Sequence, residues 1–238
     1  MTSVSGELFE ELNDFSGGKL SYVDKLSVLS AVPKELENRP QAYISHKMAQ
    51  ICLNGHDDEE AKVHELLHVK SAWMLENPFL EVKFPNSHPL APYYGELNNS
   101  LDHVIVFREQ ADLGYPVTKF ILEDLKCKAE NWSNFDSGAH AVRNVWSTYF
   151  FLKFGFFKDT AVYDKAAKIF DDYGIKDAVN RFVDTIWKHR DSVKDMAFDC
   201  LQAQVIGPDH ARLTIRDIKE EKLIIEEFSN PNKFQTIL

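Results

Sequence analysis

The segment His64-Glu65-Leu66-Leu67-His68 contains the residue types of a hydrolytic metal site. On a helix its two histidines stand at positions i and i+4, where side chains share one face, about 5–6 Å apart at Cβ. Both imidazoles can then reach one tetrahedral zinc ion. Glu65 lies about 100° around the helix from His64, so it is placed to take a proton from a zinc-bound water. The spacing predicts His64 and His68 as metal ligands, Glu65 as the catalytic base and Zn2+ as the cofactor.

A second helix, predicted over about residues 95–113, offers further side chains that can bind a metal. Residues 96–103 read Glu-Leu-Asn-Asn-Ser-Leu-Asp-His, and Asp102 and His103 lie in an apolar run. A polar pair there costs free energy unless it is paired or bound to a metal. His103 is predicted as the third ligand because neutral imidazole is a common zinc ligand. Asp102 is the alternative and Glu96 ranks after both, and the member of the pair that does not ligate can orient a ligand.

The His-Glu-x-x-His helix resembles the motif helix of the zincin superfamily of zinc metallopeptidases. The resemblance implies a sheet edge beside this helix, a third zinc ligand further along the chain and hydrolysis of peptides. Metzincins would have Gly at position 71 and His at position 74, where this chain has Ser71 and Met74. Gluzincins place Glu-x-x-x-Asp on a later helix, and the nearest match here is Asn98 with Asp102. The branch of the superfamily is therefore left unassigned.

The elements around the motif follow from local signals. Acidic residues at 57–60 suit the N-terminus of a helix, whose dipole favours negative charge, and Asn77-Pro78 ends that helix. Residues 41–53 predict a strand or a strand pair, with a helix as the competing interpretation. Residues 77–95 carry four prolines and are expected to form a long irregular loop.

The rest of the pattern is mainly helical. Short helices are predicted around Leu8 and around Leu29, separated by a Ser-Gly-Gly break. Further helices are predicted from Val117 to about residue 206, and the charged, β-branched tail over 213–228 predicts a hairpin or a helix. These elements favour a short sheet among many helices.

The predicted fold class is α+β, mainly helical. It consists of a small zincin-like core, in which a short sheet accompanies the motif helix and the third-ligand helix, and of a large helical C-terminal part. We expect one domain over 1–238, with the metal-binding core at 40–115 and the helical part at 116–238 packed on it.

Other candidates are weaker. His88, Tyr93 and Tyr94 lie between the two motif segments and can donate a hydrogen bond to a developing oxyanion, although simple loop packing explains them too. His140 and Arg143 share a helix face and can line a cleft, with exposed or capping roles as the alternative. An aromatic stretch is interpreted most simply as core, with a partner surface as the alternative: Trp146, Tyr149, Phe150, Phe151, Phe154, Phe156 and Phe157.

Composition excludes several classes of function. The chain has 238 residues, of which 44% are hydrophobic, and a net charge of -10, so neither a nucleic acid nor an anionic membrane surface is an expected partner. No apolar run approaches the roughly 20 residues of a bilayer span. The first 15 residues have no Lys or Arg, unlike a secretory signal. The three cysteines fit no disulfide framework, and we expect reduced, buried thiols in a cytoplasmic protein.

These features predict a cytoplasmic zinc-dependent hydrolase, most simply a metallopeptidase acting on a peptide or protein substrate. One alternative is a non-catalytic zincin-like binding or regulatory protein with a structural or vestigial metal site. Another is an all-helical interaction protein without a metal, with the aromatic stretch as its contact surface. Without a metal, His64 and His68 are simply two partly exposed histidines on an amphipathic helix. The fourth zinc position separates the first two, since catalytic zinc keeps it open and structural zinc closes it with a protein ligand. The oligomeric state is not predicted.

Overall fold

The computed structural model describes residues 3–24, 39–83, 91–115, 117, 119–202 and 210–228. Within these residues the chain forms eight helices and six strands, which confirms the α+β, mainly helical class. The helices are α1 (Val4–Ser16), α2 (Glu59–Trp73), α3 (Ala91–Asp112), α4 (Lys119–Glu130), α5 (Gly138–Lys153), α6 (Thr160–Asp172), α7 (Lys176–Lys188) and α8 (Val193–Gln202). The strands are β1 (Leu20–Tyr22), β2 (Gln41–Ile44), β3 (Ala49–Cys52), β4 (Phe79–Lys83), β5 (His210–Asp217) and β6 (Lys222–Phe228).

The distribution of contacts divides the chain into two compact units. The first comprises the described residues of Met1–Pro78, Val106–Pro116 and Thr214–Ile225. The second comprises the described residues of Phe79–Ile105, Val117–Leu213 and Glu226–Leu238. The division runs through α3, β5 and β6, each of which is continuous. The single-domain organisation, with a core at 40–115 and a helical part at 116–238, stays a prediction.

A three-stranded sheet in the first unit has the order β1-β3-β2. β1 is parallel to β3, and β2 is antiparallel to β3. The side chain of Ser45 closes the β2–β3 turn, because its Oγ donates to the carbonyl of Met48 and accepts from the amide of Met48. The strand-pair interpretation of residues 41–53 is therefore confirmed over the helical one. Ala49 and Ile51 on the central strand are fully buried.

Helix α1 confirms the predicted first helix. Its N-cap is Ser3, whose Oγ accepts from the amide of Gly6. It ends at Gly17, which has a φ of 68°. A left-handed residue of this kind terminates a helix, and glycine adopts it without the steric cost of a Cβ atom. The helix around Leu29 lies outside the described residues.

The proline-rich segment 77–95 differs from the predicted irregular loop. It contains strand β4, and α3 begins already at Ala91. The strand forms because its backbone has partners from distant parts of the chain. The amide of Asn98 bonds both the N–H and the carbonyl of Leu80, at 2.7 and 2.8 Å, and β5 is the neighbouring strand. The prolines are a local signal for a loop. The sequence does not indicate the strand, because its bonding partners are distant in the chain.

The C-terminal tail adopts the hairpin rather than the helix of the two predicted alternatives. β5 and β6 are neighbours in a sheet of order β4-β5-β6. Leu213 and Thr214 on β5 are buried, whereas Leu223 and Ile224 on β6 are exposed. The buried side chains described in these two strands therefore lie on β5, whereas residues 222–226 of β6 are exposed.

The second unit contains the helices α4 to α8. α5 contacts α6 and α7, α4 contacts α6, and α7 contacts both α6 and α8. The core interpretation of the aromatic stretch is confirmed for its buried members: Trp146, Tyr149, Phe150, Phe151 and Phe157. Phe154 is half-buried and stacks on Trp187, with ring centroids 4.5 Å apart.

Two of the three cysteines are buried, as predicted. They are Cys52 on β3 and Cys200 on α8, whereas Cys127 on α4 is exposed, so the prediction is wrong for that residue. No described helix combines the length and the apolar composition needed to cross a membrane.

Candidate metal centre

Helix α2 carries the His-Glu-x-x-His motif, and its ends follow from the sequence. Asp58 is the N-cap, and its carboxylate accepts from the amide of Ala61 at 2.9 Å. Glu59 and Glu60 follow in the first turn, where the helix dipole favours negative charge. The body of the helix is buried on all sides rather than on one stripe. Its buried residues are Ala61, Val63, His64, Glu65, Leu66, Leu67, Val69, Ser71, Ala72 and Trp73.

The surroundings of α2 hold the motif in place. The helix contacts α1 and the strands β2 and β3. At its C-terminal end the indole Nε1 of Trp73 donates to the carbonyl of Ser45 in the β2–β3 turn, at 3.0 Å. The motif therefore lies on a largely buried helix that is fixed against a sheet.

Three imidazoles converge near α2. His64 and His68 come from consecutive turns of α2, His103 comes from α3, and one ligand atom from each lies within 4.8 Å of the others. The Nε2 atoms of His64 and His68 are 3.3 Å apart. His64 is buried and the other two are half-buried. These three side chains could hold a metal ion.

The alternative third ligands lie differently. Asp102 is half-buried on α3 and is not a member of this three-residue group within the described part of the chain. Glu96 is a residue of α3, but the structure does not describe its side chain. Of the candidate ligands, the described structure brings together the three histidines.

Two residues that the sequence reasoning missed surround His64. Its Nδ1 lies 2.9 Å from Oε1 of Gln110, and its ring lies 5.8 Å from the ring of Phe107 at an angle of 30°. Gln110 is completely buried. Counting from His103, these residues follow at spacings of four and seven, which place all three on one face of α3. This same-face spacing is the sequence signal that could have indicated Gln110 as part of the site.

Glu65, the predicted base, is only 6% exposed. Burial raises the pKa of its carboxyl to about 7, and the neighbouring His68 imidazole opposes the rise. Solvent therefore stabilises the ionised carboxylate little, and a positive charge nearby has a large effect on it.

The weaker candidates lie away from this group or outside the described residues. His88 and the side chains of Tyr93 and Tyr94 are outside the described residues. His140 lies in the first turn of α5, its backbone amide donates to the N-cap Ser137, and its Nδ1 lies 3.8 Å from a carboxylate oxygen of Asp136. Arg143 is half-buried on the same helix. Ser137 is the residue that caps α5, and the roles suggested for the side chains of His140 and Arg143 stay predictions.

No protein-family model, curated protein or solved structure matches this chain. The three-histidine group consists of three nitrogen donors, two on one helix and the third on another, and the buried Glu65 follows the first donor in the chain.

Proposed function

We propose that this chain is a zinc-dependent hydrolase, most simply a metallopeptidase of the zincin type. His64, His68 and His103 bind Zn2+, and Glu65 is the general base. The observation that carries the proposal is the convergence of three imidazole nitrogens within 4.8 Å. The His-Glu-x-x-His spacing on a continuous helix supports the same assignment.

The donor set fits zinc better than a hard cation. Imidazole suits zinc and other late transition metals, whereas magnesium and calcium prefer oxygen ligands. Two nitrogens at about 2.0–2.1 Å from one tetrahedral zinc are about 3.3–3.4 Å apart. The Nε2 atoms of His64 and His68 already lie 3.3 Å apart. Three protein ligands leave a fourth position open, as in catalytic zinc sites.

Glu65 does the proton chemistry in this proposal. Zinc, when bound, supplies a Lewis acid that lowers the pKa of water to about 7 and polarises a carbonyl. The Glu65 carboxylate accepts the proton of the attacking water, and by microscopic reversibility the same carboxyl returns it to the leaving amine. Its burial beside His64 keeps that proton exchange away from bulk solvent.

The sheet beside α2 supports a peptide substrate. β2 has β3 on one side, and among the described strands it has no neighbour on the other. An extended peptide can add to such an edge through main-chain hydrogen bonds. The zincin resemblance implies a sheet edge in this place. A cytoplasmic location is part of the proposal, and with a net charge of -10 neither nucleic acid nor membrane belongs to it.

The test combines metal analysis with a conservative variant of the base. We expect about one zinc per chain after loading and dialysis, and cleavage within a library of quenched fluorogenic peptides. Glu65→Gln is expected to keep the zinc and to lose at least about 100-fold in rate, because general-base catalysis contributes that much. Glu60→Gln is the matched control, since it removes a carboxyl from the first turn of the same helix and leaves both properties unchanged.

Two results would reject the hydrolase. A protein that takes up no zinc has no metal site of this kind, and a Glu65→Gln variant with wild-type turnover has a different base. One zinc per chain without cleavage of any library peptide would favour the non-catalytic alternative. In that case a fourth protein ligand should be found on the zinc.

A further inference from the structure

The amide of Gln110 lies against the ring nitrogen of His64 that faces away from His68. The distance from Nδ1 of His64 to Oε1 of Gln110 is 2.9 Å, and both side chains are buried. We infer that Gln110 is a positioning residue that fixes His64 in the tautomer with its proton on Nδ1. The inference rests on the proposed metal site, because it says how one ligand of that site is prepared.

The proton assignment follows from the acceptor. An amide oxygen has lone pairs and no hydrogen, so it can only accept, and Nδ1 of His64 must donate. A neutral imidazole with its proton on Nδ1 carries the lone pair on Nε2. That Nε2 is the atom 3.3 Å from Nε2 of His68. The hydrogen bond to Gln110 therefore directs the donor lone pair of His64 toward the three-histidine group.

The orientation of the His64 ring is fixed, as well as the position of its proton. Phe107, three residues before Gln110 on α3, lies against the His64 ring with centroids 5.8 Å apart. Residues three apart on a helix share a face, so one turn of α3 supplies both the aromatic wall and the acceptor. A metal ligand whose orientation is fixed before binding loses less freedom when the metal arrives.

The other atom of the amide argues against a purely structural role. Nε2 of Gln110 is buried and has no hydrogen-bond partner within the described part of the chain. Leaving a buried donor unpaired costs stability, and a leucine of similar size would avoid that cost. Leucine would, however, leave Nδ1 of His64 without its acceptor. A glutamine at this position is therefore explained by the bond that its oxygen makes with Nδ1 of His64.

The neutral acceptor also has a consequence for the metal. A carboxylate in this place makes an imidazole a more basic ligand, because it attracts the Nδ1 proton more strongly. An amide attracts the Nδ1 proton less strongly than a carboxylate does. The imidazole is then a less basic ligand and leaves more of the positive charge on the metal ion. Gln110→Glu is therefore expected to bind zinc at least as tightly as the wild type, and Gln110→Leu about 10–100-fold more weakly.

The decisive measurement is made on the metal-free protein. Long-range ¹H–¹⁵N NMR of the wild type, above the usual imidazole pKa of about 6.5, distinguishes the two tautomers of His64. We expect the proton on Nδ1 in the wild type and in Gln110→Glu, and a mixture of tautomers in Gln110→Leu. Asn98→Ala is the matched control, because it removes another buried amide of α3 that bonds Leu80 instead. It should leave the tautomer unchanged.

Each outcome decides the inference. A wild-type His64 with its proton on Nε2 would mean that the Gln110 amide donates rather than accepts, and it would overturn the inference. A Gln110→Leu variant with the wild-type tautomer and zinc affinity, measured by competition with a chelator, would overturn it too. The tautomer is determined without metal, so an Nδ1 proton in a protein that binds no zinc supports the role of Gln110 and counts against the proposed function alone.

Discussion

Nζ of Lys70 lies 2.9 Å from Oε2 of Glu109 and joins α2 to α3. Lys70 follows His68 by two residues, and Glu109 directly precedes Gln110. The two side chains are 27% and 28% exposed, so water screens the pair less than it screens a surface pair. This ion pair therefore helps to fix the part of α2 that carries His64 against the part of α3 that contacts it.

We expect the Lys70–Glu109 pair to contribute more than a surface pair does. A double-mutant cycle with Lys70→Met and Glu109→Gln should give a coupling energy of about 1 kcal/mol, at the upper end for exposed pairs. Urea denaturation measures it. The exposed pair Lys168–Asp172 on α6 is the control and should give about 0.3–0.5 kcal/mol. Equal coupling energies for the two pairs would contradict the argument.

The third ligand can be assigned by comparing two adjacent residues. His103→Ala is expected to weaken zinc binding more than about 100-fold, because it removes a ligand rather than an outer-sphere contact. Asp102→Asn should change it by about 10-fold or less. Chelator competition and elemental analysis after dialysis measure both, and His140→Ala controls for the loss of any histidine. Loss of zinc in Asp102→Asn alone would transfer the ligand role to Asp102.

How far the site could be predicted depends on how local its contacts are. His64 and His68 lie on consecutive turns of one helix, so the sequence was sufficient to place these two side chains together. The bond between His64 and Gln110 joins residues 46 positions apart, and no local pattern indicates it. Only the same-face spacing from His103 to Gln110 was available.

The same distinction between local and distant contacts applies to the fold. Helix α1 was predictable because its apolar residues and its glycine stop are neighbours in the chain. Strand β4 was not, because its partners are the side chain of Asn98 and the strand β5, which begins at His210. The four prolines in residues 77–95 gave a local signal for a loop, and the tertiary contacts of Leu80 outweighed it.

Asn98 should therefore be important for stability. Asn98→Ala leaves the buried N–H and carbonyl of Leu80 without their partners, and each unsatisfied group costs about 1–3 kcal/mol. We expect a total loss of roughly 2–6 kcal/mol in the free energy of unfolding, the sum for the two groups. Asn99→Ala, at an exposed position one residue later, is the control and should be within about 0.5 kcal/mol of the wild type. Similar losses for the two variants would show that the Leu80 bonds contribute little.

The carboxylate of Glu59 predicts a pH dependence of stability. It accepts from the backbone amide and the hydroxyl of Ser5, each at 2.7 Å, and so joins α1 to the first turn of α2. Desolvation acts to raise the pKa of Glu59, but the hydrogen bonds from Ser5 outweigh it and the pKa is lowered. A group with a lowered folded pKa stabilises the protein above its unfolded pKa, about 4.3 for Glu, and this contribution is lost as the pH falls through the folded pKa.

Chemical denaturation of Glu59→Gln at several pH values tests this sign. The variant should be less stable than the wild type at pH values near 7, and the difference should shrink at acidic pH. Glu60→Gln should behave in the opposite way. Burial, followed by repulsion from Asp58, raises the pKa of Glu60, so its ionised form disfavours the folded state and its removal helps at neutral pH. A constant difference for Glu59→Gln across this pH range would refute the assignment.

Phe150 should be the most sensitive aromatic residue of α5. It is completely buried, and its ring contacts those of Trp146, Phe154 and Trp187. Truncation to alanine removes these contacts and leaves a cavity that a close-packed interior fills only in part, so Phe150→Ala should cost about 3–5 kcal/mol. Phe150→Leu retains most of the volume and should cost clearly less. Phe198→Ala, at an exposed aromatic position of α8, is the control. If Phe150→Ala lost no more than Phe198→Ala, the aromatic stretch would have to be reconsidered as a surface for a partner, because only a surface site tolerates such a truncation without a cavity.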